Sequence, residues 1–551
     1  MIAALMVVAG LAGAAPEVST ATRDSRACQP LADGRVVVGT AGGLLVVDAN
    51  DRVGPVHTAL SGLPGTRVHS LAVGGYDSRK PVLWIGTEGG TARVTVADDG
   101  GVAVLATYPS APARAVIGGS SPIVGTWGDG VNRVAGSRLE ALGGPRQTAA
   151  LARHGGALYA GGPAGLFRRD SQGWTEVVAL RGRMVQALAD EGGILRVGTL
   201  TGELALRGEE ASVISNADVR SFAPGLVGTF GEGSKGGPPD LRYVYDVTVA
   251  HGAACVAARS GVRVRRGDRW VGPALTGPPD NDISALRVDG SRLWVGTFDR
   301  GVAWMEGGVW HTVPGVDPRV NAIAIQGGTA WVATARGLFA VRVTDGVGTA
   351  RRYGVDEGLP SDDIRSVSAL PDGRVLVGTA RAAAFVGPDG VAPLGRKQRL
   401  YTRSVWASHV DADGGLWIGT SRGVLYRRKG RKWFRRYSVA SGHLKDDWVT
   451  SIVADPTGKV WVGTYNGGVH RFEGKTSEWV GGGWVNPAGL HIDGNHILAS
   501  TMDGLFRRPL EGGEWAPIGE AAPGRDITAT ARIGDRLWVG SRRGLASRRN
   551  W

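Results

Sequence analysis

At 551 residues the chain is too long for one ordinary core of about 100–200 residues, so several domains or a repeat array must divide it. Its 89 Gly and 27 Pro would suit a structureless chain, but 42% hydrophobic residues and 18 Trp exclude disorder and collagen and point to short strands joined by tight turns. A net charge of +13 suits an anionic partner, whether nucleic acid, glycan or lipid headgroup, and two cysteines exclude a Cys-rich zinc framework.

The N-terminal run MIAALMVVAGLAGAAP is apolar and closed by small residues, with Ala12 and Ala14 in the A-x-A pattern of a cleavage site. Residues 1–15 are therefore expected to be a signal peptide and the mature protein to be periplasmic or secreted; no later run is long and apolar enough to span a bilayer. Next comes EVSTATR at 17–23, which alternates like a strand.

From there one unit recurs: a short apolar strand ending in Gly-Thr, a few variable residues, a Gly and a second apolar strand. The clearest copies are LWIGTEGGTARV at 83, LWVGTFDRGVAWM at 293, LWIGTSRGVLYRR at 416, VWVGTYNGGVHRF at 460 and LWVGSRRGLASRR at 537. Taking the glycine or its Ala substitute as marker, copies fall at Gly39, Gly86, Gly125, Gly161, Gly198, Gly228, Ala257, Gly296, Ala333, Gly378, Gly419, Gly463, Ala499 and Gly540. Their mean spacing of about 39 residues is close to one four-stranded propeller blade. Fourteen blades exceed the roughly 4–8 that close one ring, which predicts an all-β chain of two seven-bladed propellers in tandem, residues 16–275 and 276–551, joined within GPALTGPPDND. The last unit ends one strand short, and EVSTATR could complete either ring but only one. Seven blades per ring would place Cys255 beside Cys28; facing strands of adjacent blades are expected to lie beyond the roughly 4.4–6.8 Å that a disulfide spans, which favours two buried thiols.

GLPSDDIRSV at 358 and LWIGTSRGVLYRR at 416 resemble the repeat of the two-component regulator propeller family. The resemblance covers nearly the whole mature chain, most clearly from about residue 277. It implies paired seven-bladed propellers of the kind that form the periplasmic sensor half of hybrid histidine kinases, often for polysaccharide fragments. No kinase or further β-sandwich follows the repeats, so the resemblance implies recognition with the output left to a separate signalling protein.

Candidate ligand residues come from the turn between second and third strands, which faces the channel mouth where propellers bind ligands. In the second ring these are Phe298, Arg300, Arg336, Arg381, Arg422, Tyr465, Asn466 and Arg542; in the first, Trp127 stands out. The arginines suggest a funnel for a carboxylate, sulfate or phosphate, set against the plainer reading of a solvated rim paired to nearby acids. The first ring shows no cationic excess in those turns. Trp84, Trp294, Trp331, Trp417, Trp461 and Trp538 in second strands, and Trp174, Trp270, Trp310, Trp433, Trp479 and Trp515 near fourth strands, read as packing between blades.

Arg pairs close several third strands, and RRKGRKWFRRY at 427–437 interleaves cations with aromatics; this reads as edge protection, and export argues against nucleic acid. The Asp-Ala-Asp-Gly at 411–414 falls where a hairpin turn belongs, and DPTGKVW at 455–461 stands alone; no catalytic motif, metal set or cofactor fingerprint is present. The favoured function is non-enzymatic recognition of an extracellular ligand, an anionic oligosaccharide by charge. A protein-binding scaffold is the alternative, and a lyase or hydrolase acting in a funnel is third.

Overall fold

The computed structural model describes residues 17–549 apart from 78–79, 209, 217–218, 223–242, 395–399, 401–403 and 520. The proposed signal peptide and the repeat around Gly228 lie outside the described residues. Within them the chain is all-β, interrupted by three short 3-10 turns at Ala59–Ser61, Val178–Leu180 and Val355–Glu357. Its strands form thirteen antiparallel sheets, twelve of four strands and one of three, each built from strands consecutive in sequence with one exception.

The exception closes a ring. The sheet of Ile527–Ile533, Arg536–Ser541 and Gly544–Arg549 takes its fourth strand from Glu17–Ser19, with Val18 opposite Ala546. The side chain of Arg536 secures the join by binding the Glu17 carboxylate, one contact at 3.1 Å. This strand therefore groups with residues from Pro278 onward, and Thr20–Gly277 forms the other compact unit. The C-terminal unit has seven sheets among the described residues, and their innermost strands touch in cyclic order from Ile283–Asp289 back to Ile527–Ile533.

The N-terminal unit has six sheets among the described residues, and the sheet at Gly39 has only three strands. In place of a fourth strand, Val53 and His57 make single bridges to Val47 and Leu44. Gly54 and Pro55 lie between those bridges, and a proline cannot donate to a ladder.

The repeat marker has a packing explanation. A Cβ added to Gly296 would lie 2.5 Å from the Val320 side chain of the next blade; the same holds at 2.5 Å for Gly378 and Val405, 2.5 Å for Gly419 and Val449, and 2.8 Å for Gly463 and Val485. Gly540 meets Ile283 at 2.6 Å, so the last blade abuts the first by the same contact. Each glycine lets a branched residue at the start of the next inner strand, or just ahead of it for Val485, seat against the backbone, and Ala257, Ala333 and Ala499 show that some junctions hold one more methyl.

The threonine after the marker staples the turn. Its hydroxyl donates to the carbonyl that closes the turn, at 2.8 Å from Thr297 to Gly301, 2.7 Å from Thr334 to Gly337, 2.8 Å from Thr420 to Gly423 and 2.9 Å from Thr464 to Gly468. These threonines are buried, so each bond satisfies a group that would otherwise be costly to desolvate.

The core lies between blades, and the six second-strand tryptophans are all buried there. Outer-strand tryptophans divide: Trp310 is buried, Trp174 and Trp515 donate indole N–H bonds to Leu142 and Val480 at 2.8 and 3.0 Å, and Trp433 and Trp479 are exposed. Hairpin carboxylates support the second strand, as Asp411 accepts from the Gly415 amide at 2.6 Å and Asp455 from the Trp461 indole at 2.9 Å. The solitary DPTGKVW motif is thus a turn that orients a core tryptophan.

The two-thiol expectation is corrected: Cys28 and Cys255 form a disulfide, with their Cα atoms 6.2 Å apart. The inner strand Ser25–Pro30 packs directly on the second strand Ala253–Ala258, closer than the expectation allowed, and both cysteines share a buried cluster with Val38, Leu45 and Val264. The bond latches the N-terminal unit across 227 residues of sequence.

Candidate functional site

In the C-terminal unit, the branched residue that packs on the neighbouring glycine is followed by a bulge. The register slips between Ile283 and Ala285, Val320 and Ala322, Ile364 and Ser366, Val405 and Ala407, Val449 and Ser451, and Ile527 and Ala529. A bulge inserts one residue and re-aims it. The residues so placed are Ser284, Asn321, Arg365, Trp406, Thr450 and Thr528, and Asn486 follows Val485 at the corresponding point of the remaining blade. Six of these seven positions, all but Thr450, line one pocket of about 480 Å³ together with Phe298, Arg319 and Arg542.

The pocket combines cations with flat aromatic faces. The guanidinium carbons of Arg319 and Arg542 lie 4.4 and 5.0 Å from the Phe298 ring centre, and that of Arg365 lies 4.1 Å from Trp406. Arg542 is held by Asp282 at 2.9 Å and Asp526 at 3.5 Å, and Arg365 by Asp363 at 3.1 Å and Ser404 at 3.1 Å. Arg319 is exposed and makes no ion pair among the described residues. The Ser284 hydroxyl is buried with no hydrogen-bond partner there. By contrast, Asn321 and Thr528 donate to the Ile364 and Ile283 carbonyls at 2.7 and 2.6 Å and so brace neighbouring blades.

An aromatic run continues from the pocket. Ring centres are 5.4 Å apart from Trp406 to Trp448, 4.7 Å from Trp448 to Tyr465 and 5.7 Å from Tyr465 to Trp484, the last two pairs stacked. Trp448 and Trp484 are 37% and 43% exposed, and Asn466 fixes Trp484 by accepting its indole N–H at 2.6 Å. Exposed aromatic faces at this spacing can stack on planar or ring-shaped ligands, while the arginines supply charge and directed donors.

Beside Phe298, the carboxyls of Asp299 and Asp280 share a hydrogen bond, which together with burial pushes Asp299 up to about 6. The pair therefore holds one proton at mildly acidic pH. Among the described residues no group of His, Cys, Asp and Glu is placed to hold a metal ion.

The turn residues expected to form an arginine funnel separate. Phe298 and Arg542 line the pocket, and Tyr465 and Asn466 belong to the aromatic run. Arg300 turns to Asp280 at 3.5 Å, Arg336 extends into solvent with Asp317 3.9 Å away, and Arg381 and Arg422 are exposed and outside the pocket lining. Trp127 lies in the other unit, beneath Arg114 at 5.4 Å. Arg319, Arg365, Trp406 and Trp448 lie in or directly beside inner strands, outside the turns from which the candidates were drawn. Their signal was present: each adjoins the Val or Ile that opens an inner strand, in RVN, DIR, SVW and DWV.

The family model described as "Two component regulator propeller" matches residues 443–466, which run from the approach to one inner strand through the Gly463 marker into its turn. No curated protein matches the chain. Among solved structures, PorZ, a surface component of the type-IX secretion system of Porphyromonas gingivalis, is similar at TM-score 0.70 and 16% identity, over 97% of this chain and 87% of that one. An ancestral GH74 enzyme is similar at TM-score 0.66 and 15% identity, over 98% of each chain. The extracellular domain of a putative hybrid two-component system from B. thetaiotaomicron aligns at TM-score 0.44 and 15% identity, over 96% of this chain and 82% of that one. No helix among the described residues is long and apolar enough to cross a membrane. The chain thus has a β-propeller architecture, and one of its repeats, at residues 443–466, matches the two-component regulator propeller family.

Proposed function

We propose that this is an exported, non-enzymatic recognition protein whose C-terminal propeller binds an anionic oligosaccharide and passes the event to a separate partner. The observation that carries this reading is the junction of Arg319 and Arg365 with the run Trp406, Trp448, Tyr465 and Trp484. Sugar rings stack on such faces, and a uronate or sulfate group would meet the guanidinium of Arg319. We further read each unit as seven-bladed, with the repeat around Gly228 as the seventh of the N-terminal unit, and residues 1–15 as a cleaved export signal.

A hydrolase reading finds its best support in the Asp280 and Asp299 pair, one carboxyl protonated and one ionised. Direct hydrogen bonding argues against it, because glycosidase carboxyls stand about 5–9.5 Å apart to admit a sugar and, in inverting enzymes, a water. Calorimetric titration with uronate-containing, sulfated and neutral oligosaccharides tests the proposal, with chromatography of the same mixtures for cleavage. Anionic ligands are expected to bind and return intact, and Trp448→Ala and Arg319→Ala to weaken them about tenfold or more, the loss of roughly 1.4 kcal/mol that one stacking or charge-assisted contact supplies. Binding untouched by both variants would remove the site from consideration, and product release would transfer the reading to the hydrolase.

A further inference from the structure

The same register position in the N-terminal unit builds a different surface. Its inner strands slip at Ser25/Ala27, opposite Gly125/Thr126, and at Val68/Ser70 and Val244/Asp246, which places Arg26, Arg114, His69 and Tyr245 as the inserted residues. Arg67 stands directly ahead of Val68, as Arg319 stands ahead of Val320 in the other unit. The inner strands of these three consecutive blades pack side by side, and Arg26, Arg67 and Arg114 stand near enough to the His69 imidazole for their charges to act on it, although the second-to-third turns of the blades carry no arginine.

The neighbouring acids leave this trio largely uncompensated. Asp24 pairs with Arg26 at 3.0 Å, whereas Glu88 and Asp129 accept the backbone amides of Thr66 and Ala111 at 2.9 and 2.8 Å. Arg67 and Arg114 are exposed and make no ion pair among the described residues. Burial and the charges of Arg114, Arg26 and Arg67 hold His69 down to about 2, so the imidazole stays neutral and still offers a ring N–H. Aromatic planes orient two of the arms: Arg114 lies 5.4 Å from the Trp127 ring centre and Arg26 5.0 Å from that of Tyr245. Cations held together at a mouth without acids to match form a site for a multivalent oxyanion, which guanidinium groups bind through paired N–H donors.

We propose that the mouth of the N-terminal unit is a separate oxyanion site, in which Arg26, Arg67 and Arg114 with His69 bind a sulfate or phosphate group, free or carried as an ester. The inference stands on this unit's own residues and does not depend on the reading of the C-terminal pocket.

The test is calorimetric titration of the full chain with inorganic sulfate, inorganic phosphate, glucose 6-sulfate and glucose. Saturable binding of the oxyanions and none of glucose is expected, with affinity reduced at least tenfold in Arg114→Ala and Arg67→Ala and unchanged in Arg381→Ala, which alters the other unit. A preference for the ester over the free ion identifies a sulfated glycan as the source, and the reverse a free oxyanion. Should Arg114→Ala fail to fold, Arg67→Ala, at an exposed side chain, carries the test. Absence of saturable binding at low ionic strength, or binding indifferent to Arg67→Ala in a folded protein, overturns the proposal.

Discussion

Replacing both cysteines by serine should weaken the N-terminal unit selectively. The disulfide closes a span of 227 residues, and the chain-entropy relation for a loop of that length gives about 5 kcal/mol, an upper figure because the unfolded chain retains some structure. Besides the buried cluster around the cysteines, the junction is held by hydrogen bonds: Thr22 to the Thr276 carbonyl at 2.5 Å, Arg23 to the Leu275 carbonyl at 3.2 Å, the Cys28 amide to Asp246 at 3.0 Å, and Arg266 to the Gly34 and Asp48 carbonyls at 2.5 and 2.9 Å and to Asp51 at 3.3 Å. Each adds about 1 kcal/mol, too little to substitute for the bond. Urea unfolding followed by tryptophan fluorescence, with and without a phosphine reductant, should show one transition moving to lower urea in the reduced protein and the other staying in place. The Cys28→Ser, Cys255→Ser double variant should behave like the reduced protein and ignore the reductant. Thiol titration of unreduced native protein should find no free thiol. Two free thiols, or a transition that reduction leaves unmoved, would refute the latch.

Truncation to begin at Thr20 should destabilise the C-terminal unit instead, by about 1 kcal/mol for each backbone hydrogen bond that Glu17–Ser19 makes, and expose the edge of Gly544–Arg549 to self-association; scattering and unfolding curves identical to those of the full chain would contradict the ring closure. Gly419→Val should cost about 1–3 kcal/mol or more, since its added Cβ would stand 2.5 Å from Val449 and 3.1 Å from Ala407, and a melting temperature equal to that of the parent would disprove the inter-blade contact. Asp299 binds its proton more tightly folded than unfolded, so its contribution to stability is complete below its unfolded value near 3.8 and disappears as pH rises through about 6. Asp280, whose carboxyl is lowered, contributes with the opposite slope at lower pH. Asp299→Asn should accordingly remove a fall in stability between pH 4 and 6, and an unchanged pH profile would show that the proton is not shared.

The blade pattern was readable in the amino-acid order because its causes lie within a few residues or between successive repeats. A Gly-Thr that ends a second strand serves two local needs, a contact with the next blade's Val or Ile and a hydroxyl bond across the turn, so the same letters recur wherever the geometry does. Strand partners and most core tryptophans follow from that recurrence. Ring closure did not, since EVSTATR suited either ring by composition, and only the juxtaposition of Val18 with Ala546 chose between them. The disulfide was hidden for a related reason: its feasibility depended on a distance between blades that no spacing in the chain encodes.

The mouth was the least legible feature. Six blades contribute to it the residue after the branched Val or Ile, placed in five of them by a bulge, so residues about 40 positions apart converge without any local motif. Phe298 and Tyr465 could be chosen in advance because turns face outward by rule. Arg365 and Trp406 occupy an inner strand, where alternation alone would assign them to packing, and the register slip after Ile364 and Val405 is what turns them into the channel. The sequence by itself determined the blade, whose interactions are short in range; tertiary structure decided how the rings close and which residues meet at their mouths, because those depend on distances between blades set only once all of them are packed.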